Sequence, residues 1–308
     1  MSKSKIAVVG VGGVGGYLAG MLCKTYENVT VVARGDRKTS IEKHGIVLHS
    51  DCNGEIVSRP AKVVSSCREL GEQDYIFVCV KNYSLKEVCE ELKSVVTDDT
   101  IVIPVMNGAD VGERVREYLG KGIIVDSLIY IVAFANEDYS ITQQGDFANL
   151  RIGQVMDPYP EAVTAVSNLL AKASISHKIS DDIECDIWKK YMLNCAYNVL
   201  TAYYDLTIGE LRGDETKAKE YESLVYEAYA VAARKGVNMD KKYADKTIDQ
   251  FYHKLADNAT SSLQRDYRDH KMTELETFSG YIVREAEKQG VEVPVSARMY
   301  EGLKKREI

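Results

Sequence analysis

Residues 5–16 read Lys-Ile-Ala-Val-Val-Gly-Val-Gly-Gly-Val-Gly-Gly. A short β-branched run flows directly into glycines, and Tyr17 to Lys24 then read as a helix. Gly10, Gly12 and Gly15 complete G-x-G-x-x-G between a strand and a helix, the order that a dinucleotide site needs. The first glycine makes the tight turn, the second lets the backbone approach a pyrophosphate, and the third lets helix and strand pack closely. The loop Gly10, Val11, Gly12, Gly13, Val14 and Gly15 then leads to a helix N-terminus whose free N–H groups suit phosphates. The bland alternative is a glycine-rich turn without a ligand.

The next strand, Asn28 to Ala33, ends in Arg34. An NAD site usually carries Asp or Glu there, about 20 residues beyond the glycines, to bond the ribose 2′-hydroxyl. This tip has no carboxylate; Arg34 offers a planar, permanently charged donor that matches a 2′-phosphate, and Arg37 and Lys38 lie nearby to assist. The expected cofactor is therefore NADP(H).

The chain has 308 residues, enough for about two domains, and 45% apolar residues, enough for buried cores. The formal net charge of −7 provides no basic field for nucleic acid or an anionic membrane, so an anionic ligand must meet local cations. Seven cysteines without C-x-x-C spacing indicate free thiols in a reducing compartment rather than a disulfide framework or zinc site. The five histidines show no metal-ligand spacing, and no metal is expected. The fingerprint occupies the place of a signal-peptide apolar region, and no apolar run is long enough to span a membrane. A cytoplasmic location is the expectation.

Outward from the glycine loop, strands and helices alternate. Ile46 to His49 and Glu55 to Val57 flank a hairpin turn; Asp74 to Val80 and Thr100 to Val105 read as buried strands; Ser84 to Leu92, Val111 to Leu119 and Pro160 to Ala173 read as helices. Ile123 to Asp126 and Leu128 to Phe134 read as further strands, and Ser140 to Thr142 with Leu150 to Ile152 as a paired antiparallel edge. Near Ser180–Ile183 the texture changes, strand-like runs vanish and helical periodicity takes over. The expected architecture is a Rossmann-type, doubly wound parallel α/β sheet over residues 1–181, followed by an all-α domain over 182–308.

Ligands of open α/β sheets bind outside the carboxyl ends of the strands. Lys81 and Asn107 each follow a buried strand directly: Lys81 suits a cofactor hydroxyl or phosphate, Asn107 a nicotinamide ribose or substrate oxygen. In the helical half Lys190, Asn194 and Asn198 recur every four residues, lining one side of a helix within an otherwise apolar segment. Polar groups so placed must be paired or face a ligand. Ser262, Asp266 and Glu274 follow in a second segment, where Thr273-Glu274-Leu275-Glu276 fits a capping box that would put Glu274 in the first turn of a new helix.

Taken together, these residues resemble the ketopantoate reductase (2-dehydropantoate 2-reductase) family along essentially the whole chain. The pieces are Gly10 to Gly15, Arg34, Lys81, Asn107-Gly108, Trp188-Lys-Lys190 with Asn194 and Asn198, Gly209-Glu-Leu211, Ser261-Ser262 with Asp266, and Thr273-Glu274. The resemblance implies that Lys190 is the proton donor and that Glu274 helps hold substrate and cofactor. It implies that Asn194, Asn198 and Ser262 bind substrate oxygens, that Asn107 contacts cofactor and substrate, and that the backbone near Val132 contacts the cofactor. Two positions depart from the family pattern: Ile208 and Ala259 stand where the family often has asparagine.

Lysine fits the implied role on physical grounds. Hydride addition to a ketone builds negative charge on oxygen, and a cation there stabilises the charge and supplies the proton. The sequence thus points to NADPH-dependent reduction of 2-dehydropantoate to pantoate in pantothenate biosynthesis. The rivals are a reductase of another 2-keto acid and a non-catalytic NADPH sensor. The expected partner is a small 2-keto acid, with no nucleic acid and no membrane; a homodimer is compatible with the pattern.

Overall fold

A computed structural model describes residues 4–156 and 159–307. The chain divides into two compact units at Ile183/Glu184.

The first unit is built on a six-stranded parallel sheet: β1 (Ile6–Val9), β2 (Val29–Val32), β5 (Lys62–Val64), β6 (Tyr75–Val78), β7 (Ile101–Pro104) and β8 (Ile123–Ile124). Their order is β5-β2-β1-β6-β7-β8, with β1 at the centre where the strand order reverses. The registers are level: Val9 pairs with Val32 and Val78, and Val78 with Pro104, so four strands end along one edge. One face of the sheet carries α3 (Leu85–Leu92) and α4 (Val111–Leu119), which bury Leu85, Val88, Leu92, Val111, Val115 and Leu119 against Ala7, Val9, Ile76 and Val102. These are the apolar faces expected from helical spacing.

The other face holds α1 (Gly13–Thr25), which is covered in turn by a second sheet. That sheet contains β3 (Ile46–Ser50), β4 (Gly54–Ser58), β9 (Asp126–Ala135), β10 (Ile141–Gly153) and β11 (His177–Ile179), in the order β11-β10-β3-β4 with β9 on β10. Every residue of α1 from Gly15 to Leu22 is buried, as expected for a helix between two layers. A stripe of glycines permits the approach: a Cβ on Gly16 would lie 2.5 Å from Ile141, and one on Gly20 3.3 Å from Leu48.

This second sheet corrects one expectation. Ser140–Thr142 and Leu150–Ile152 do not pair with each other; residues 141–153 form the single strand β10, antiparallel to β9 along its length. Between Gln144 and Ala148 the register shifts, and buried Gln143 fixes that bulge by donating to the carbonyls of Gln144 (2.9 Å) and Gly145 (2.8 Å). The polar bulge interrupts the apolar pattern, which is why one strand reads as two.

The second unit is helical: α6 (Ile183–Tyr204), α7 (Ile208–Arg212), α8 (Glu215–Lys235), α9 (Lys242–His253), α10 (Ser262–Arg268), α11 (Tyr281–Gln289) and α12 (Pro294–Lys304). Trp188 and Tyr191 of α6 pack on Tyr281 of α11, with Trp188 and Tyr191 edge to face at 5.5 Å. Residues Glu276–Gly280, just before α11, form a π-helical turn. Among the described residues, no helix is long and apolar enough to cross a membrane.

Candidate active site

The glycine loop leaves the carboxyl end of β1. Gly10 has φ +89, a conformation that glycine adopts without strain. A Cβ on Gly15 would sit 1.9 Å from the Gly10 carbonyl oxygen, so only glycine lets α1 begin this close to β1. A Cβ on Gly12 would meet nothing within 4 Å, and no side chain caps the α1 N-terminus at that residue. This open, uncapped helix end fits a pyrophosphate. Val11 is buried in the core and Val14 packs partly buried against it. A Cβ on Gly13 would clash with the Ala133 carbonyl, so the loop lies directly against β9. Val132, one residue earlier on β9, is 44% exposed.

Arg34 closes β2 and precedes α2 (Gly35–His44). Its Nε donates to the Ser65 carbonyl at 3.1 Å, and its guanidinium pairs with Glu91 at 3.1 Å and Glu87 at 3.5 Å. Lys38 donates to Ser65 Oγ at 3.1 Å. Arg37 lies over the Tyr139 ring with its centre 5.2 Å away, and its buried Nη1 has no hydrogen-bond partner. Such a buried guanidinium nitrogen is costly to leave unpaired. Lys81 and Asn107, both half-buried, follow β6 and β7 on the same sheet edge.

In the helical unit α6 carries Lys189 and Lys190, and their settings differ. Lys189 pairs with Asp186 at 3.1 Å and lies over the Tyr243 ring. Burial of the Lys190 ammonium outweighs the attraction of the Glu274 carboxylate and pushes its pKa down to about 8. Glu274 is itself only 5% exposed. A lysine poised near neutral pH can both stabilise negative charge and release a proton.

Glu274 does not sit in a first turn closed by a capping box. Helical residues begin at Leu275, and the Glu274 carbonyl accepts from Thr277 N (3.0 Å) and Phe278 N (3.2 Å), making Glu274 the cap residue itself. Glu276 turns away from Thr273 to accept from Tyr300 at 2.7 Å and to pair with Arg284. The Arg284 cation on α11 and the Tyr300 phenol on α12 both bind the carboxylate, and a charge-assisted contact outweighs a neutral backbone cap. The π turn that follows is held from α6. Tyr191 Oη bonds the carbonyls of Thr277 (2.6 Å) and Phe278 (3.0 Å), and Cys195 Sγ donates to Phe278 O at 3.1 Å. No local sequence motif marks Tyr191 or Cys195 for this contact, since their partners lie at least 83 residues away.

Asn198 is more deeply engaged than its helical spacing implies. Its Oδ1 accepts from Ser262 Oγ (3.1 Å) and Leu263 N (3.3 Å), and its Nδ2 donates to the Asn194 carbonyl (3.2 Å). It therefore docks the start of α10 on α6. Ser262 and Asn194 remain half-buried. The two departures from the family pattern also meet: Ile208 N donates to the Ala259 carbonyl at 3.2 Å. Among the described residues, no group of three His, Cys, Asp or Glu side chains is placed to hold a metal.

Comparison with known proteins agrees with this layout. The family model for ketopantoate reductase PanE/ApbA matches residues 6–157, and that for its C-terminal region matches 182–307. An uncharacterized oxidoreductase, YkpB, from Bacillus subtilis is 26% identical over 97% of both chains. The crystal structure of 2-dehydropantoate 2-reductase from Porphyromonas gingivalis is 28% identical, with a TM-score of 0.84 over 98% of this chain and 99% of that one. A D-mandelate dehydrogenase solved with NADH and anilino(oxo)acetate shares the fold at 22% identity, with a TM-score of 0.87 over 98% of each chain. The chain, from the glycine loop of its parallel-sheet unit to the end of its helical unit, thus belongs to the ketopantoate reductase PanE/ApbA family of oxidoreductases.

Proposed function

We propose that this protein reduces a 2-keto acid to the 2-hydroxy acid with NADPH, and that 2-dehydropantoate, reduced to pantoate for pantothenate synthesis, is the first substrate to test. The observation that carries the proposal is Lys190: one ammonium, desolvated, facing the buried carboxylate of Glu274, with its pKa lowered to about 8. The neighbouring Lys189, neutralised by Asp186, is unsuited to the same work.

When bound, a reduced nicotinamide nucleotide would supply the hydride for the keto carbon. Lys190 Nζ donates a hydrogen bond to the keto oxygen, stabilises the negative charge that grows there, and transfers its proton as the alkoxide forms. The neutral amine regains a proton from solvent, which balances the reaction as keto acid, reduced nucleotide and one proton in, hydroxy acid and oxidised nucleotide out. Glu274 holds the ammonium charged enough to serve. Gly12 and the α1 N-terminus take the pyrophosphate, while Arg34 and Arg37 take the 2′-phosphate. Lys81, Asn107 and the backbone at Val132 complete the nucleotide contacts. Asn194 and Ser262 bind substrate oxygens, and Asn198 orients Ser262.

A second reading concerns the substrate. Ile208 is fully buried and Ala259 is half-buried beside it, so two apolar side chains stand where the family often places amides. The second reading is a 2-keto acid lacking a hydroxyl, since neither position offers a hydrogen-bonding side chain. Loss of NADPH absorbance with a panel of 2-keto acids, 2-dehydropantoate first, tests both readings. Turnover of 2-dehydropantoate well above the other acids supports the first, turnover of an apolar 2-keto acid supports the second, and no consumption with any acid refutes both.

A further inference from the structure

Asn82 has no place in the chemistry above, yet it ties together the two strand-end loops that carry Lys81 and Asn107. It opens the short 3-10 turn after β6 and is only 8% exposed. Its Nδ2 donates to the Asn107 carbonyl at 2.8 Å, across 25 residues of sequence. Its Oδ1 accepts from Arg114 Nη2 at 2.5 Å. Arg114 is fixed one helical turn away by Asp110, at 3.0 Å, at the start of α4. The chain Asp110–Arg114–Asn82–Asn107 therefore runs from a helix end to the peptide of a candidate ligand residue.

The geometry gives that last bond unusual leverage. Val78 and Pro104 are level partners, so the loops leave β6 and β7 side by side. Directly after Asn107, Gly108 has φ +126, a turn that only glycine makes readily. The Asn107 peptide is thus held by a bond from Asn82 on one side and a flexible glycine on the other. A carboxamide suits the task because one end donates while the other accepts.

We propose that Asn82 is a positioning residue, which aims Asn107 at the nucleotide by fixing the Asn107 peptide to the loop of Lys81. The proposal rests on reading Asn107 as a nucleotide contact. Asn82→Asp isolates the decisive bond: the carboxylate keeps its acceptor for Arg114 but cannot donate to the Asn107 carbonyl. The test is the NADPH dissociation constant, read by nucleotide fluorescence, together with thermal melting, for wild type, Asn82→Asp, Asn107→Ala and the double variant. Asn82→Asp is expected to weaken NADPH binding about tenfold, the upper range for one hydrogen bond, with a melting temperature near that of wild type. The double variant is expected to bind no more weakly than Asn107→Ala alone, because residues acting through one contact are not additive. Unchanged binding by Asn82→Asp, or penalties that simply add in the double variant, would overturn the positioning role while leaving the nucleotide site intact. A wild-type chain that does not bind NADPH would overturn the functional reading, and this role with it.

Discussion

Ser262 Oγ donates to Asn198 Oδ1 at 3.1 Å, joining two residues 64 positions apart in the chain. The same oxygen accepts from the backbone of Leu263, so Asn198 acts as a side-chain cap for the first turn of α10. The two residues should therefore fail in different ways. Asn198→Ala leaves buried donors unpaired and should cost about 1–3 kcal/mol in denaturant unfolding. Ser262→Ala should change stability little and instead raise KM for the keto acid. Equal stability losses for the two variants would contradict this division.

The glycine loop offers a matched pair. Gly12 has φ −86 and open space around its missing Cβ, so Gly12→Ala should fold with an unaltered melting temperature yet bind NADPH weakly, the methyl occupying the phosphate approach. Gly15→Ala would drive a Cβ into the Gly10 carbonyl and should destabilise the first unit by about 1–3 kcal/mol, as overpacking does. Thermal melts with and without NADPH separate the two effects.

Arg34 sits about half exposed between Glu87 and Glu91, so its charge is already partly answered before any ligand arrives. A 2′-phosphate must compete with two carboxylates for Arg34. Arg34→Ala should raise KM for NADPH roughly ten- to a hundredfold more than KM for NADH. Arg37→Ala should lower the NADPH preference in the same direction. Steady-state kinetics with both nucleotides decide this, and equal changes for the two would remove the 2′-phosphate assignment.

Much of this was legible because the decisive residues are local. Strand, glycines and helix lie within residues 5–24, and Lys81 and Asn107 each follow an apolar run without interruption. The second sheet was harder to read. Its signal is the glycine stripe Gly13, Gly16 and Gly20, which has meaning only once Ala133, Ile141 and Leu48 are seen opposite. Strand β10 was split in the reading because Gln143 and the bulge after it break alternation. Thr273-Glu274-Leu275-Glu276 fits the capping-box motif, but Glu276 is claimed by Arg284 on the helix that continues the π turn and by Tyr300 on α12. Nothing in the local sequence marks Asn82, because its partner Asn107 is 25 positions away.

The acid–base proposal fixes the sign of the pH dependence. Lys190 must be protonated to give its proton, and its pKa is lowered to about 8 by burial. Reductive kcat/KM should be level below that pH and fall about tenfold per unit above it. Lys190→Arg retains a cation that does not deprotonate in this range, so the alkaline limb should vanish and turnover should collapse. An unchanged limb in that variant would assign the titration to another group.

The central claim is that Lys190 delivers the proton, and the most direct measurement is single-turnover NADPH oxidation by Lys190→Ala in the presence of the best 2-keto acid. The expected result is a rate lower by about 10²–10⁴ with an NADPH dissociation constant close to that of wild type. A wild-type rate in that variant would contradict it.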